Sequence, residues 1–254
     1  MNKINVVNNK IIPLDNNDVI LNNNIITFTN NGDYYLEYIT SNNVNITINV
    51  EDNVCVQLFE YSNNNDINTN ITYNLGKNSS LIISKFYYND NTNEEINIYL
   101  NKKNANIKYN FSSISKSHDN YLINIYHNDS TTNSDIFNRT IAKENSSNNF
   151  DINSYVENKI LDCYLNQSTK IITLGDSNNK INPNMFTHDN SVTAIHASVI
   201  GNVNEEELFY LMSRGISYNE AIKIIIKGII LSNINPNMEY REKILNILEE
   251  VGGE

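Results

Sequence analysis

Histidine and cysteine are the side chains of this sequence with the widest chemical range, because imidazole and thiolate both bind metals and exchange protons. The four histidines and two cysteines are His118, His127, His188, His196, Cys55 and Cys163. His118 and His127 are followed by acidic or amide residues, which favours polar turns. His196 lies inside the apolar run 192–197, where it is either a structural histidine bonded to a backbone carbonyl or a ligand.

Both cysteines lie in apolar, strand-like runs, 53–56 and 161–164. A buried cysteine usually behaves as a small hydrophobic residue, but thiolate is also the preferred ligand of iron–sulfur clusters. Two cysteines cannot supply four thiolates, so a cluster here would need histidine, carboxylate or a second subunit. They also form no disulfide framework in a chain of this length, which is typical of a reducing compartment.

Composition and missing motifs disfavour several classes of function. The 254 residues carry 29 acidic and 18 basic side chains, for a formal net charge of −11. Nucleic acids and anionic membranes are therefore unsuitable partners, since both are bound through Lys and Arg. The motifs typical of P-loop ATPases, dinucleotide enzymes, serine hydrolases and zinc proteases are absent. Without a membrane-spanning run or a signal peptide, we expect a cytoplasmic protein.

Up to about residue 200, apolar and polar residues alternate with the period of a β-strand. The alternation is clearest at 45–50, 97–100 and 122–126. Many short strands without intervening helices predict an all-β body, as a sandwich, barrel or solenoid. Asn31-Gly32 is the one typical hairpin turn, whereas the 54 asparagines suit solenoid corners in the left-handed conformation and can stack in ladders. This favours a parallel β-helix, with a β-sandwich as the alternative.

After about residue 200 the apolar residues follow the period of a helix. Asn204 is a suitable N-cap for a first helix that opens with three glutamates. Ser217 and Glu220 form a capping box for a second helix. This helix is apolar on nearly every side, so it must be buried by the body or by a partner. A third helix is expected to start at Asn235-Pro236, with Pro in its first turn.

The stretch from His196 to Ile230 resembles the C-terminal signature of the SufB/SufD family of iron–sulfur cluster assembly proteins. Its most specific part is the block Phe209-Tyr210-Leu211-Met212-Ser213-Arg214-Gly215-Ile216-Ser217, at the family's offset from His196. Weaker landmarks lie at 131–134, 174–176 and Pro183. The resemblance covers residues 120–231, whereas the first hundred residues match only in strand character.

The resemblance implies a right-handed parallel β-helix at 1–203, followed by a small C-terminal α-helical domain at 204–254. Family members are scaffolds rather than enzymes. They pair as homodimers or heterodimers through the β-helix, and they recruit the ABC-type ATPase SufC through the C-terminal helices. The implied cofactor is a transient iron–sulfur cluster that a dimer can share, built with a sulfur donor system.

The resemblance also implies site residues. His196 aligns with a family histidine near the dimer interface, which makes it the first candidate cluster ligand. SufB-type members usually have glutamates on both sides of this histidine, where this chain has Ile195 and Ala197. That departure points to a SufD-like role, or to a scaffold that uses other ligands. Cys163 is a second candidate ligand for iron or sulfur. The residues implied in ATPase docking are Phe209, Tyr210, Arg214, Gly215 and Ile216.

A β-helix enzyme acting on polysaccharides, or a surface adhesin, is the alternative from another class. Such an enzyme needs two carboxylates that face a groove. Glu37, Glu60 and Asp151 lie in predicted strands, but the sequence does not place two of them together. A purely structural interaction module is a third interpretation, which differs from the scaffold only in lacking the cluster.

Overall fold

A computed structural model describes residues 2–12, 19–39 and 42–251. The strands are β1 (Asn2–Val7), β2 (Lys10–Ile12), β3 (Val19–Asn22), β4 (Ile25–Phe28), β5 (Gly32–Ile39), β6 (Asn43–Val50), β7 (Cys55–Ser62), β8 (Asp66–Leu75), β9 (Ser80–Tyr87), β10 (Asn91–Leu100), β11 (Asn106–Ser115), β12 (His118–His127), β13 (Asn133–Lys143), β14 (Ser147–Val156), β15 (Tyr164–Leu174), β16 (Asn178–Phe186) and β17 (Thr193–Asn202). The helices that follow are α1 (Glu205–Ser213), α2 (Tyr218–Asn233) and α3 (Met238–Val251).

From β4 onward, successive strands alternate between two sheets. The nine-stranded sheet has the order β17-β15-β13-β11-β9-β7-β5-β1-β2, and the eight-stranded sheet has the order β16-β14-β12-β10-β8-β6-β4-β3. Neighbouring strands are parallel except in the pairs β1/β2 and β3/β4. A chain that adds one strand to each sheet per turn is a parallel β-solenoid, here of about six turns. The expected β-helix is confirmed, and the sandwich alternative is wrong.

Asparagines turn one corner of successive coils. Asn53, Asn78 and Asn104 have positive φ angles of 63°, 52° and 61°, and Thr131 and Asp162 adopt the same conformation in the next two coils. The Asn78 side-chain amide donates to Asn53 Oδ1 and the Asn104 amide donates to Asn78 Oδ1, both at 2.9 Å. These bonds join residues 25 and 26 positions apart, which is the length of one coil. Asparagine tolerates this conformation better than most residues, so both expected roles are confirmed.

A second asparagine ladder runs along the outer face of the eight-stranded sheet. The amide of Asn124 donates to Asn97, that of Asn153 to Asn124 and that of Asn184 to Asn153, at 2.9 to 3.1 Å. Two further asparagine-rich segments, 89–93 and 146–149, lie partly inside β10 and β14. Asn91, Asn93 and Asn149 face outward in these strands, whereas Asn148 is 1% exposed and faces the interior.

Side chains near the helix ends act as caps. Asn204 Oδ1 accepts two backbone N–H groups of α1. The Ser217 hydroxyl accepts the backbone N–H of Glu220 and donates to the carboxylate of that residue. Both predicted caps are confirmed. The third helix starts later than expected, because Asn237 Oδ1 accepts a backbone N–H of α3 at 2.9 Å. Pro236 therefore precedes the helix rather than lying in its first turn.

Helices α2 and α3 pack on the outer face of the nine-stranded sheet. Apolar side chains of five strands meet apolar side chains of both helices in one buried cluster, which includes Phe59, Phe86, Ile114, Ile141, Ile172, Ile226, Ile230, Ile244 and Leu248. Tyr240 of α3 stacks near Tyr35 and Phe59, with ring centroids 5.9 and 5.1 Å apart. The apolar second helix is thus buried largely by the body, although Ile224 stays 45% exposed.

Candidate functional site

The last strand, β17, forms the edge of the nine-stranded sheet and carries His196. Among the described strands, it pairs with β15 alone. Every residue of β17 except Gly201 is exposed, including Ile195 at 48% and Val199 at 52%. A long edge strand with exposed apolar side chains is a ready template for pairing with another chain.

His196 stands in register with Gln167 of β15. Paired residues of neighbouring parallel strands face the same side of a sheet. The Gln167 side chain is buried in the interior, where it donates to Ser154 Oγ at 2.8 Å. His196 therefore continues an interior row of side chains at the open end of the solenoid. Its imidazole is exposed, so the residue is accessible to a ligand or to a second subunit.

Cys163 lies just before β15 and is 2% exposed. Its Sγ atom is 3.3 Å from Thr132 Oγ1, 3.6 Å from the Leu161 carbonyl oxygen and 3.7 Å from the Asp129 carbonyl oxygen. Carbonyl oxygens only accept hydrogen bonds. The two carbonyl oxygens can therefore each accept a hydrogen bond from the Cys163 Sγ–H group.

The structure does not bring the two candidate ligands together. Tyr164, the residue after Cys163, pairs with Thr193, and His196 lies three positions farther along β17. At about 3.3 Å per residue, more than about 10 Å separates them along the sheet. Within the described ranges, no three His, Cys, Asp or Glu side chains are arranged to hold a metal ion.

A buried histidine ends β12, where the sequence suggested a polar turn. His127 is 1% exposed, with Nδ1 at 2.8 Å from Thr132 Oγ1 and Nε2 at 3.0 Å from Ser134 Oγ. The Thr132 hydroxyl donates to the Asp129 carbonyl, so Nδ1 carries the hydrogen and Nε2 accepts. Burial lowers the pKa of His127 to about 4. The strand period gave a usable signal, because Ile125 and His127 share one face of β12.

Replacing His127 should reduce the acid sensitivity of the fold. A histidine in an unfolded chain has a pKa of about 6.5. As pH falls, the unfolded chain therefore binds a proton before folded His127 does. The free energy of unfolding should drop between about pH 6.5 and 4, by up to about 3 kcal/mol. In His127→Gln, whose amide can replace both hydrogen bonds, we expect a smaller drop in urea denaturation series from pH 7 to 4.

Asp119 acts in the opposite direction, because burial raises its pKa to about 6. It favours the folded state at low pH, and this contribution is lost as pH rises through about 6. The parent protein and His127→Gln both retain Asp119, so the contribution of Asp119 cancels when their pH dependences are compared. The exposed His118 supplies the control His118→Gln, which should keep the parent's pH dependence. If the free energy of unfolding of His127→Gln falls between pH 7 and 4 by as much as that of the parent protein, His127 is not the source of the acid sensitivity.

Two glutamates and a lysine are buried between the sheets. Lys85 Nζ lies 2.6 Å from Glu94 Oε1 and 3.4 Å from Glu60 Oε2. Tyr38 donates to Glu60 at 2.8 Å and Tyr87 donates to Glu94 at 3.0 Å. The fold thus places Glu60, one of the three acids considered from the sequence, near Glu94, which was not among those three. They lie in the closed interior rather than along an open groove, so they do not form the carboxylate pair of a polysaccharide enzyme.

Helix α1 has no buried residue. Phe209 is 75% exposed and Tyr210 is 58% exposed. A shallow apolar groove runs between α1 and α2 and includes Tyr210, Leu211, Ile224 and Ile229. The Arg214 guanidinium lies 5.3 Å from the Tyr210 ring centroid, and Gly215 ends the helix with a φ of 88°. Exposed aromatic side chains on one helix are typical of a protein interface.

The model of the family "SUF system FeS cluster assembly, SufBD core domain" matches residues 18–229. The chain belongs to the SufBD family. Bacillus subtilis (strain 168) has a similar protein, "Iron-sulfur cluster assembly protein SufD". It is 25% identical to this SufBD chain over 134 residues, which are 52% of the chain and 31% of the relative.

Two further SufBD family proteins match shorter parts of the chain. One from Pyrococcus horikoshii is 54% identical over 35 residues, which are 14% of this chain and 8% of the relative. One from Galdieria sulphuraria is 44% identical over 46 residues, which are 18% of this chain and 21% of the relative. The matched parts span less than a third of each relative's length. In this SufBD chain, none of the described helices is long and apolar enough to cross a membrane.

Proposed function

We propose that this SufBD protein is a scaffold subunit of a SUF-type iron–sulfur cluster assembly system, without enzymatic activity of its own. The family match over residues 18–229 carries the proposal. The open edge strand with His196 and the exposed apolar helix beyond it support two scaffold properties, subunit pairing and partner docking. We place the protein in the cytoplasm, where a sulfur donor system supplies the cluster's sulfur.

The open end of the solenoid supports pairing with a second subunit. The unpaired edge of β17 can add a strand from another chain, which is a second copy or a SufB/SufD-type partner. Phe186 lies in β16, the edge strand of the eight-stranded sheet, and is 49% exposed. Its ring stacks on the ring of Tyr155 in the neighbouring strand β14, with the ring centroids 5.0 Å apart. A two-fold pair through this end would bring a His196 from each copy to one interface. A transient cluster there can take ligands from both subunits.

Loss of His196 should impair cluster binding. After anaerobic reconstitution with iron and sulfide, we expect the parent protein to show a visible charge-transfer band of an iron–sulfur cluster. His196→Ala should lose most of this band, because the imidazole is a ligand at the open end. The exposed His118 provides the matched control, His118→Ala, which should keep the band.

The reconstitution also separates the candidate ligands. A band that survives in His196→Ala would contradict the histidine's role as a ligand, and loss of the band in Cys163→Ser would assign a role to the buried thiol. If the parent shows no band alone, reconstitution together with a SufB-type subunit tests the SufD-like role. If His196→Ala does not weaken the charge-transfer band of that mixed complex, His196 is not a cluster ligand.

The exposed face of α1 supports docking of a SufC-type ABC ATPase. The proposed contact residues are Phe209, Tyr210, Arg214, Gly215 and Ile216. Phe209 offers the largest exposed apolar surface of this set, and Arg214 supplies the one positive charge. Aromatic and arginine side chains are enriched among the residues that dominate the binding free energy of protein interfaces.

A further inference from the structure

A cleft opens on the outer face of the nine-stranded sheet, beside the connection from α2 to α3. Its volume is about 510 Å³, within the usual range for sites of small organic ligands. Phe59, Ile82 and Phe137 supply apolar walls, and Lys108 and Arg139 supply positive charge. Among the described residues, none of β17 or α1 lines the cleft.

Both cations of the cleft flank the same aromatic ring. Lys108 Nζ lies 5.8 Å from the Phe137 ring centroid, and Arg139 Cζ lies 6.0 Å from it. In the part of the chain that the structure describes, neither cation forms an ion pair with a carboxylate. Lys170 stands in register with Arg139 on the neighbouring strand and adds a third positive charge.

Two acids lie near the cleft without neutralising it. Asp33 lines it from β5, three strands away from Lys108 on β11, or about 14 Å at the usual strand spacing. Asp135 stands in register with Lys108, and its carboxylate accepts a hydrogen bond from Asn166 at 2.9 Å. The three cations Lys108, Arg139 and Lys170 outnumber these two acids, so the local formal charge is positive in a chain whose formal net charge is −11.

Arg139 is held in place by neutral groups. Its Nη1 donates to the carbonyl oxygens of Asn138 and Ser168 at 2.8 and 3.0 Å, and its Nη2 donates to Ser168 Oγ at 3.2 Å. Three of the five guanidinium N–H groups are used, so two are left for a ligand. Partial burial lowers the pKa of Arg139, because no adjacent carboxylate offsets the lost hydration. An oxyanion beside this fixed guanidinium would supply the missing counter-charge.

We propose that this cleft binds a small organic anion, whose phosphate or carboxylate head lies between Arg139 and Lys108 and whose apolar body contacts Phe59 and Ile82. The positioned guanidinium supplies two N–H donors for the oxygen atoms, and Lys108 supplies a mobile ammonium. The apolar walls contact the body of an organic anion, so such an anion should bind more tightly than inorganic phosphate.

Calorimetric titration of the full chain at low salt tests this site with four probes: hexyl phosphate, hexanoate, inorganic phosphate and hexanol. We expect saturable binding of hexyl phosphate or hexanoate, weaker binding of inorganic phosphate and the weakest binding of hexanol. A preference for hexyl phosphate assigns a phosphate head, and a preference for hexanoate assigns a carboxylate head. If hexanol binds as tightly as both anions, or if neither anion binds, the proposal is overturned.

Variants locate the binding. Lys108→Gln and Arg139→Gln should each raise the Kd of the preferred anion about tenfold, as expected for the loss of one charge-assisted hydrogen bond. The controls Lys180→Gln and Arg241→Gln remove the same charges at residues that do not line the cleft and should leave the Kd unchanged. Lys108 is exposed, so its variant should fold even if Arg139→Gln does not. An unchanged Kd in Lys108→Gln, or an equal loss in the controls, would refute the site.

Discussion

Phe209→Asp should abolish capture of a SufC-type ABC ATPase by this chain in a pull-down assay. The Phe209 side chain is 75% exposed on α1, a helix without buried residues. The substitution should therefore leave the fold intact. In a complex, it would place a charge where an aromatic ring is buried, and the loss of such an anchor typically weakens binding by about a factor of 30 or more. Arg214→Ala should weaken capture as well.

Met238 supplies the matched control for this experiment. It is an apolar residue at the start of α3 and is 79% exposed, close to the exposure of Phe209. Met238→Asp makes the same type of change outside the proposed docking face, and capture should remain at the parent level. Unchanged capture by Phe209→Asp would rule out α1 as the docking helix. Equal loss in both variants would show a general effect of negative charge on the tail.

The double substitution Ile195→Lys and Val199→Lys should convert a dimer of this protein into monomers, as measured by sedimentation velocity. Both residues are about half exposed on β17, so the free energy of unfolding of one subunit should change by less than about 0.5 kcal/mol per substitution. Lysine on an edge strand opposes pairing with another strand. In a two-fold pair, each new charge would also lie near charges of the other copy, which adds repulsion worth several kcal/mol.

Ile20 on β3 provides a control at the opposite end of the solenoid, where it is 55% exposed on the edge strand of the eight-stranded sheet. Ile20→Lys should leave the dimer intact. If the parent chain sediments as a monomer, co-expression with a SufB/SufD-type partner tests the heterodimer, and the double variant should then fail to co-purify. A stable dimer of the double variant would place the interface elsewhere.

Local patterns in the sequence predicted the elements well, because caps and periodicity depend on near neighbours. Asn204 and Ser217 mark helix starts by hydrogen bonds that span two or three residues. Asparagine was a good predictor of the corners for the same reason, since the left-handed conformation is a property of single residues. The block that begins at Phe209 also indicated the family, since it is one continuous segment.

Contacts between coils could not be predicted, because they depend on the number of residues in each coil. The hydrogen bonds of the ladders span 25 positions near Asn78 and 31 positions near Asn184. A change of one residue in a bend exchanges inward and outward side chains of the next strand. The buried contact of Glu60 with Lys85 and the joint position of Lys108 and Arg139 both require this spacing.

The attachments of α1 determine where force from a bound partner would act. The two residues 203–204 join α1 directly to the end of β17. Through α2, the same helix is tied to the Asn233 amide, which donates to the backbone carbonyls of Phe111 on β11 and Phe137 on β13. A partner that pulls on α1 would therefore load the sheet between β11 and β17. This part of the sheet includes the coils that hold Cys163 and His196.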